Sequence, residues 1–298
     1  STSRNPAAAL THLDKPYWKK EGITKGDLVE YYRAVSEFLL PHLHDRPMSL
    51  HRFPDGIEGQ SFYQKDFRGY KPRFLHTHRL YSESAKRSLD YVVCQNQETL
   101  LYLANLGCIE MNPWLSRLPD LGRPDHVVID LDPDKQTFEQ VVEVALEVRK
   151  VLDKIGAESF VKTSGATGMH IAVPMAARYD YEEAREFARA VCEVVNQRLP
   201  SLTSLERTPA KRGGRLYLDF MQNAEGQTIA SPYSVRPHPG APVSTPLKWS
   251  EVTRKLDPKS HTLVNMPKRL NRVGDLWAPL LQRQTDIAAC LKKLKPIR

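Results

Sequence analysis

The stretch His126–Asp134, HVVIDLDPD, decides how the chain folds. Its run Val127, Val128, Ile129 is β-branched and favours extended backbone, and Pro133 ends the ladder. Alternate side chains of a strand share a face, so Asp130 and Asp132 project together, about 7 Å apart, with Leu131 on the opposite side. Two anions at that spacing repel each other unless a cation lies between them. Hard oxygen donors suit Mg²⁺ or Mn²⁺, which are held by one or two carboxylates while substrate phosphates complete the shell. A calcium loop also opens DxDxD, but it needs Gly at its sixth position and Glu at its twelfth, where this chain has Lys135 and Val141. The plain alternative is an acidic strand end facing water.

Working outward, RLYLDF (215–220) repeats the pattern: an apolar strand ends in Asp219, a candidate third ligand. Three strand-borne aspartates, two of them in DxD spacing, form the set that two-metal phosphoryl transfer requires, one ion at the attacking hydroxyl and one at the triphosphate. Between the acids lies KTSGATGMHIAVP (162–174). Ser164, Gly165, Thr167 and Gly168 read as a tight turn between two strands, small enough for backbone N–H groups to approach phosphate oxygens. His170 follows as a donor to the same triphosphate. Neither a Walker A loop nor a dinucleotide fingerprint is present, and a Ser/Gly hairpin turn is the commoner meaning of such a loop taken alone. In ASPYSVRPHPGAPVSTPLKW (230–249), proline punctuation is expected to fix Arg236 next to Asp219, where its fork can neutralise phosphate charge. A salt-bridged surface arginine is the alternative. Lys211, Arg212 and Arg215 around Gly213 and Gly214 read as a solvated cationic loop.

Strand-like and helix-like patterns alternate along the rest of the chain. Helical spacing predicts helices over 27–42, with Thr24 or Asp27 as cap, and over 98–106, 138–155 and 181–199. Short strands are expected at 48–53, 61–65, 91–94, 108–111, 126–131, 159–162, 170–173 and 215–220. Residues 66–87, rich in Lys, Arg and aromatics, read as an exposed loop or extended hairpin. Paired short strands around Ser164–Gly168 point to antiparallel hairpins, hence an α+β fold with helices packed on mixed sheets in two lobes around one cleft. The expected organisation is a single domain over 1–298: an N-terminal lobe at 1–120, a catalytic core at 121–246, and a helical tail at 247–298 that packs across the body through Trp249, Trp277 and an amphipathic 280–294 region.

Composition bounds the rest. The 298 residues are 41% hydrophobic and 26% charged, as in a folded globular protein, and the 22 prolines imply many fixed turns. No apolar run approaches the roughly 20 residues of a membrane span, and the opening STSRNPAAALTHLDK lacks the basic and apolar regions of a leader. A soluble, cytoplasmic protein is expected. Cys94, Cys108, Cys192 and Cys290 are scattered without a CxxC, which argues against both a zinc ribbon and a disulfide framework. The net charge of +8 suits a polyanionic partner, though by itself it fits a solvated surface as well.

The ordered motifs VVIDLDPD, TSGATGMHI and LYLDFMQN with PYSVRPHPGAPVSTPLKW resemble the polymerase domain of bacterial and archaeal non-homologous end-joining ligases, the ligase D family, within the archaeo-eukaryotic primase superfamily. The likeness runs from HLDKPYWKKEGITKGDLVEYY (12–32) to the block around Trp249. It implies a primase-like fold and a DNA-dependent polymerase that fills gaps and extends 3′ ends at double-strand breaks, preferring ribonucleotides over dNTPs, with two Mn²⁺ or Mg²⁺ ions. By the same resemblance Asp130, Asp132 and Asp219 are the catalytic metal acids. Arg52, Asn112, Ser164, Gly165, Thr167, His170 and Arg236 fall in the nucleotide pocket. Lys15 and Lys25 match a pocket for the downstream 5′-phosphate, and Phe62, Tyr63 and Lys65 match a stacking pair and basic residue at the DNA. Fixed charge at a recessed 5′-phosphate would locate the end of a gap. The implied partners are 5′-phosphorylated DNA ends or gaps, NTP or dNTP, the end-binding protein Ku and an ATP-dependent DNA ligase, in a nucleoid-associated setting. Two positions depart from relatives: Asn112 stands where some carry histidine near the sugar, and Thr167 where some carry lysine. The ligase motif KxDG is absent, which leaves either a part of a larger protein or a stand-alone relative. Two other readings remain at this stage, a non-catalytic DNA-end-binding module and a metal-dependent nuclease, since three carboxylates also suit hydrolysis.

Overall fold

The computed structural model describes residues 9–295. Residues 1–8, part of the opening read above for a leader, lie outside it. The α+β expectation holds. The strand His126–Asp132 sits inside a six-stranded sheet, in the order Thr203–Ser204, Leu216–Asp219, His126–Asp132, Met169–Pro174, Phe160–Thr163, Pro246–Leu247. All neighbouring pairs are antiparallel except the parallel pair Thr203–Ser204 with Leu216–Asp219. The expected hairpin is present: Phe160–Thr163 and Met169–Pro174 pair antiparallel across the turn at 164–168.

Period-two alternation sorts this sheet into two faces. Val127, Ile129, Leu131, Val161, Met169, Ile171, Val173, Leu216 and Leu218 enter a core closed by the helices Phe138–Lys154 and Tyr181–Arg198. Both helices start at capping boxes, Thr137 with Gln140 and Asp180 with Glu183, each cap stabilising its helix by about 1 kcal/mol. The intervening side chains, Asp130, Asp132, Lys162, His170, Tyr217 and Asp219, are left to the other face.

A second core belongs to the N-terminal lobe. The helix Lys25–Leu43 begins with a capping box in which both sequence candidates serve: Thr24 is the cap and Asp27 its reciprocal partner. Its buried face, Leu28, Val29, Tyr31, Tyr32, Val35, Leu39 and Leu43, shares this core with the helix Gln97–Asn105 and with Met48, Leu50, Ile109 and Met111 of a three-stranded sheet. That sheet runs Phe62–Gln64, Met48–Arg52, Cys108–Pro113. The 66–87 segment resolves as coil leading into a hairpin, His76–Ser82 with Arg87–Val93, so the second strand begins at Arg87 and not at Tyr91. Asp66 and Asp90 neutralise much of its positive charge, through Arg68 and Arg87 and through Lys71 and Arg79 respectively.

Both cores draw on the chain beyond residue 230. Tyr233, Val235, Ala241 and Val243 join the N-terminal core, whereas Leu247, Val252, Ile287, Cys290 and Leu294 join the core under the large sheet. Trp249 and Trp277 tie this region to the sheet edge, their indole N–H groups donating to Ser159 O (3.1 Å) and Val161 O (3.0 Å). The amphipathic 280–294 region divides into a short 3₁₀ turn, Ala278–Leu281, and the helix Ile287–Leu294. Four pairings escaped the sequence: Pro16–Trp18 with Ile23–Thr24, Ser116–Arg117 with Asp120–Pro124, Thr203–Ser204 with Leu216–Asp219, and the edge strand Pro246–Leu247. Strands of two to five residues carry too little alternation to be seen. All four cysteines are free and buried. Among the described residues no helix is long and apolar enough to cross a membrane.

Candidate active site

Strand register gathers the chemistry into one row. Lys162 pairs with His170, His170 with Asp130, and Asp130 with Asp219, so four side chains from four neighbouring strands lie abreast on the face away from the helices. Asp132 lies one step along, opposite Tyr217. Gln222 and Asn223 follow Asp219: Gln222 Nε2 lies 3.4 Å from Asp219 Oδ2, and Asn223 bonds both the N–H and the carbonyl of Val128, which locks the two acidic strands together.

The acids are short of positive partners. Asp219 has no ion pair among the described residues, and its Oδ1 accepts only from Met221 N–H, at 2.8 Å. Asp130 faces the His170 Nε2 at 3.4 Å, and Asp132 faces the guanidinium of Arg212 at 3.8 Å. Arg212 therefore leaves the solvated loop it was assigned to and lies over the Tyr217 ring beside the acids. Burial raises the Asp130 carboxyl to about 6, against the attraction of Lys162 and Arg236. Asp219 also rises to about 6, through burial and then through the charge of Asp130. Asp132 shifts upward for the same two reasons. Carboxylates crowded in this way, with only long contacts to His170 and Arg212 to offset their charge, are of the donor type that suits a hard cation. Among the described residues no three His, Cys, Asp or Glu side chains converge closely enough to enclose an ion as they stand, and the Asp132 side chain is 54% exposed.

The turn at 164–168 is built around one hydroxyl. Ser164 Oγ accepts the N–H groups of Ala166 (3.0 Å) and Gly168 (3.1 Å), and its own N–H donates to Gly168 O. Gly165 has φ +80°, and a Cβ there would meet Arg236 Cγ at 2.5 Å; at Gly168 it would meet Leu131 O at 2.1 Å. Neither position tolerates a side chain without displacing the arginine or the strand that carries Asp130 and Asp132. Thr167 is exposed at the turn's tip.

Arg236 is placed differently from the expectation. Its ion pair is with Glu110, Nε to Oε1 at 2.6 Å, and not with Asp219, while Nη1 donates to Ser164 O. It thus ties the 164–168 turn of the large sheet to the small sheet. Glu110 also bonds His51 (2.9 Å) and the buried amide of Asn112 (3.4 Å). Despite burial, the bonds from His51 and Arg236 hold the Glu110 carboxyl down to about 2. His51 in turn stacks on Tyr63, with ring centroids 4.0 Å apart at 13°. Phe62 and Tyr63 are exposed, Arg52 lies over the Phe62 ring at 5.0 Å, and Lys65 is exposed beside them. Arg52 is further fixed by Leu106 O (2.9 Å) and Gln64 (3.1 Å).

Lys15 and Lys25 come together at the start of the first long helix, Lys25 N–H donating to Lys15 O at 2.8 Å. Lys25 is only 5% exposed, and no ion pair reaches its amine among the described residues. Burial, then the neighbouring Lys15, depresses its pKa. Lys15 pairs with the exposed Asp55.

Sequence reasoning missed Lys162, Glu110 and His51. The signal was present for the first two: each is a charged residue inside an otherwise apolar strand, FVKT and CIEMNP, where alternation demanded a buried partner.

Comparison with known proteins identifies the family and the fold. The sequence model of the family described as LigD, primase-polymerase domain, matches residues 24–277. The bifunctional non-homologous end joining protein LigD of Bacillus subtilis is 34% identical over 295 residues, covering 98% of this chain and 47% of that protein. The multifunctional non-homologous end joining protein LigD of Pseudomonas aeruginosa is 31% identical over 274 residues, covering 91% of this chain and 32% of that protein. The chain therefore spans from about a third to about half the length of these relatives. Among solved structures, the polymerase domain from Mycobacterium tuberculosis ligase D in complex with DNA superposes with a TM-score of 0.86 at 28% identity, covering 93% of this chain and 99% of that one. The α+β architecture is thereby of the archaeo-eukaryotic primase type. The chain belongs to the LigD primase-polymerase domain family, and is a nucleotidyltransferase.

Proposed function

We propose that this chain fills short gaps and extends 3′ ends at DNA double-strand breaks, adding ribonucleotides in preference to deoxyribonucleotides opposite a template. The observation that carries the reading is the row Lys162, His170, Asp130, Asp219: two desolvated carboxylates, Asp219 without an ion pair among the described residues, beside two basic groups and a serine-centred turn. The donor set fits Mn²⁺ or Mg²⁺, with Asp130, Asp132 and Asp219 as the residues that would hold up to two ions. When bound, such ions supply Lewis-acid stabilisation of the triphosphate and ease ionisation of the attacking hydroxyl.

The chain's own groups do the rest. Ser164 shapes the turn that cradles the triphosphate, His170 faces it from the strand, and Arg236 offers its remaining guanidinium donor, so positive charge meets the phosphoryl oxygens where negative charge develops. Buried Asn112 stands on the sugar side of the pocket, and its amide is held by Glu110. Phe62 and Tyr63 form an exposed aromatic platform for a base, supported from below by His51 and Arg52. Lys15 and Lys25 hold the downstream 5′-phosphate. A buried lysine amine without an ion pair is a costly arrangement that an incoming anion relieves. Ku and an ATP-dependent ligase are the partners this reading implies, and the relatives' names, non-homologous end joining proteins, support it.

The test is a fill-in assay on a gapped duplex, comparing NTP with dNTP and Mn²⁺ with Mg²⁺. Extension that is strongest with NTP and Mn²⁺ is expected; no extension under any pairing would overturn the reading. For the end pocket, Lys15→Ala with Lys25→Ala should erase a preference of about tenfold or more for 5′-phosphorylated over unphosphorylated gaps, the scale of lost hydrogen bonds to a charged group. Equilibrium binding to the two duplexes measures it. A double variant that still prefers the phosphate would remove these lysines from the pocket.

A further inference from the structure

The side chain of Lys162 is 1% exposed at the end of the acid row, and its amine has three neighbours. Nζ lies 2.7 Å from His170 Nδ1, 2.9 Å from Ala230 O, and within hydrogen-bond distance of Ser244 Oγ. A carbonyl can only accept. The Ser244 hydroxyl spends its proton on Thr163 O at 2.8 Å, so its oxygen also accepts from the lysine. Two of the three ammonium protons thus have fixed destinations, and the third is aimed at Nδ1. That nitrogen must then be the unprotonated one, which puts the ring proton of neutral His170 on Nε2.

The other side of the ring gives the same answer. Nε2 faces Asp130 Oδ1 at 3.4 Å, and an ionised carboxylate only accepts. A lone pair on Nε2 would face a negative oxygen, whereas an N–H there is attracted to it. Burial and Arg236 draw the Lys162 ammonium's pKa down while Asp130 opposes them; with an N–H on Nε2 toward Asp130, Nδ1 is left with the lone pair and becomes the third acceptor around the amine, after Ala230 O and the Ser244 oxygen. The Trp277 ring lies 5.7 Å from Nζ, and the indole is itself pinned to Val161 O, so the amine has no room to turn away.

We propose that Lys162 is a positioning residue that fixes both the orientation and the Nε2–H tautomer of His170, so that the histidine meets the nucleotide's triphosphate as a hydrogen-bond donor. This rests on the reading of the row as a nucleotide site. The role differs from that of a strut joining the 230 and 244 segments, because a strut would not govern which ring nitrogen carries the proton.

The experiment is ¹⁵N-resolved NMR of the histidine rings in the full chain, with His170 assigned by the signals lost in His170→Gln. The expected result in the unsubstituted protein is a protonated Nε2 and an unprotonated Nδ1; a protonated Nδ1 overturns the proposal, whatever any variant does. Lys162→Met, similar in length but without the amine, should let His170 populate both tautomers. It should raise the KM for the nucleotide by roughly 10- to 100-fold, the range for removing a group that orients a site's ligand, with a smaller effect on kcat. In a His170→Gln background the same substitution should add little, since it acts through the ring; fully additive losses would reduce Lys162 to a strut. A protein with the expected tautomer that binds no nucleotide would uphold the hold of Lys162 on the ring and overturn its meeting with the triphosphate, and with it the reading of the site.

Discussion

Asp130→Ala reduces nucleotide addition by about a thousandfold or more, the several kcal/mol that a lost cation site withdraws from a phosphoryl transition state. Binding to a gapped duplex with a 5′-phosphate should stay close to that of the unsubstituted protein, because Lys15, Lys25, Phe62 and Tyr63 lie on the other lobe. Primer extension and equilibrium DNA binding on one preparation separate the two, and a variant that extends normally would dismiss the row as the reaction centre. The same crowding that makes the site useful makes it unstable without a cation. Asp130 and Asp219 rise from 3.8 to about 6, chiefly through burial. A carboxyl whose pKa is raised by folding favours the folded state most when protonated, below its unfolded value, and that advantage is lost as pH climbs through about 6. In metal-free buffer Asp219→Asn should therefore raise the Tm above pH 7 and leave it little changed near pH 4. Thermal unfolding at the two pH values checks it, and a lower Tm at pH 7 would contradict the electrostatics. Protons must also leave these carboxylates before a cation binds, so the apparent affinity for Mn²⁺ should fall steeply below about pH 6.

Arg236→Ala carries the second large effect, because it acts on stability and on the nucleotide together. The guanidinium joins Glu110 to Ser164 O, and the carboxylate is only 5% exposed. Removing one partner of a buried pair leaves an uncompensated charge and costs about 3–5 kcal/mol. His51 at 2.9 Å softens this loss without replacing the guanidinium's bond to Ser164 O. Nucleotide affinity should drop roughly 100-fold, as for the loss of a charge-assisted contact together with the turn it supports. Arg236→Lys keeps the charge but not the fork, and should recover stability better than affinity. Gly165→Ala should imitate the affinity loss, since its Cβ would sit 2.5 Å from Arg236 Cγ. Denaturant melts and nucleotide titrations measure both quantities; an unchanged melt for Arg236→Ala would mean that Glu110 finds another partner.

How far the sequence could be read follows from where the information lies. HVVIDLDPD reports its own strand, its own alternation and its own end, and all three are as expected in the structure. Asp130 and Asp219, and the Lys162–His170 hairpin, lie on strands that sequence pattern alone identified. What it could not supply was register. That Lys162, His170, Asp130 and Asp219 form one row depends on pairing between strands far apart in the chain, and a slip of one residue would have turned half of them into the core. Arg236 was expected beside Asp219 because both belong to the same stretch of motif. Its true partner, Glu110, lies 126 residues away on the other lobe's sheet. The basic 66–87 segment, read as an exposed loop or extended hairpin, does lead into a hairpin, but that Asp66 and Asp90 pair with four of its charges only the fold reveals. Lys25 is buried with no ion pair among the described residues, a setting that composition cannot distinguish from that of any other lysine.

The most direct test follows the labelled 3′ end of a primer in a gapped, 5′-phosphorylated duplex whose templating base is varied through all four identities, with each nucleotide supplied singly. A primer one residue longer, and only with the nucleotide complementary to the template, is the predicted result. A primer that is shortened would make the acid row a nuclease, one unchanged in length would make the chain a DNA-end-binding module, and one extended without regard to the template would deny templated synthesis.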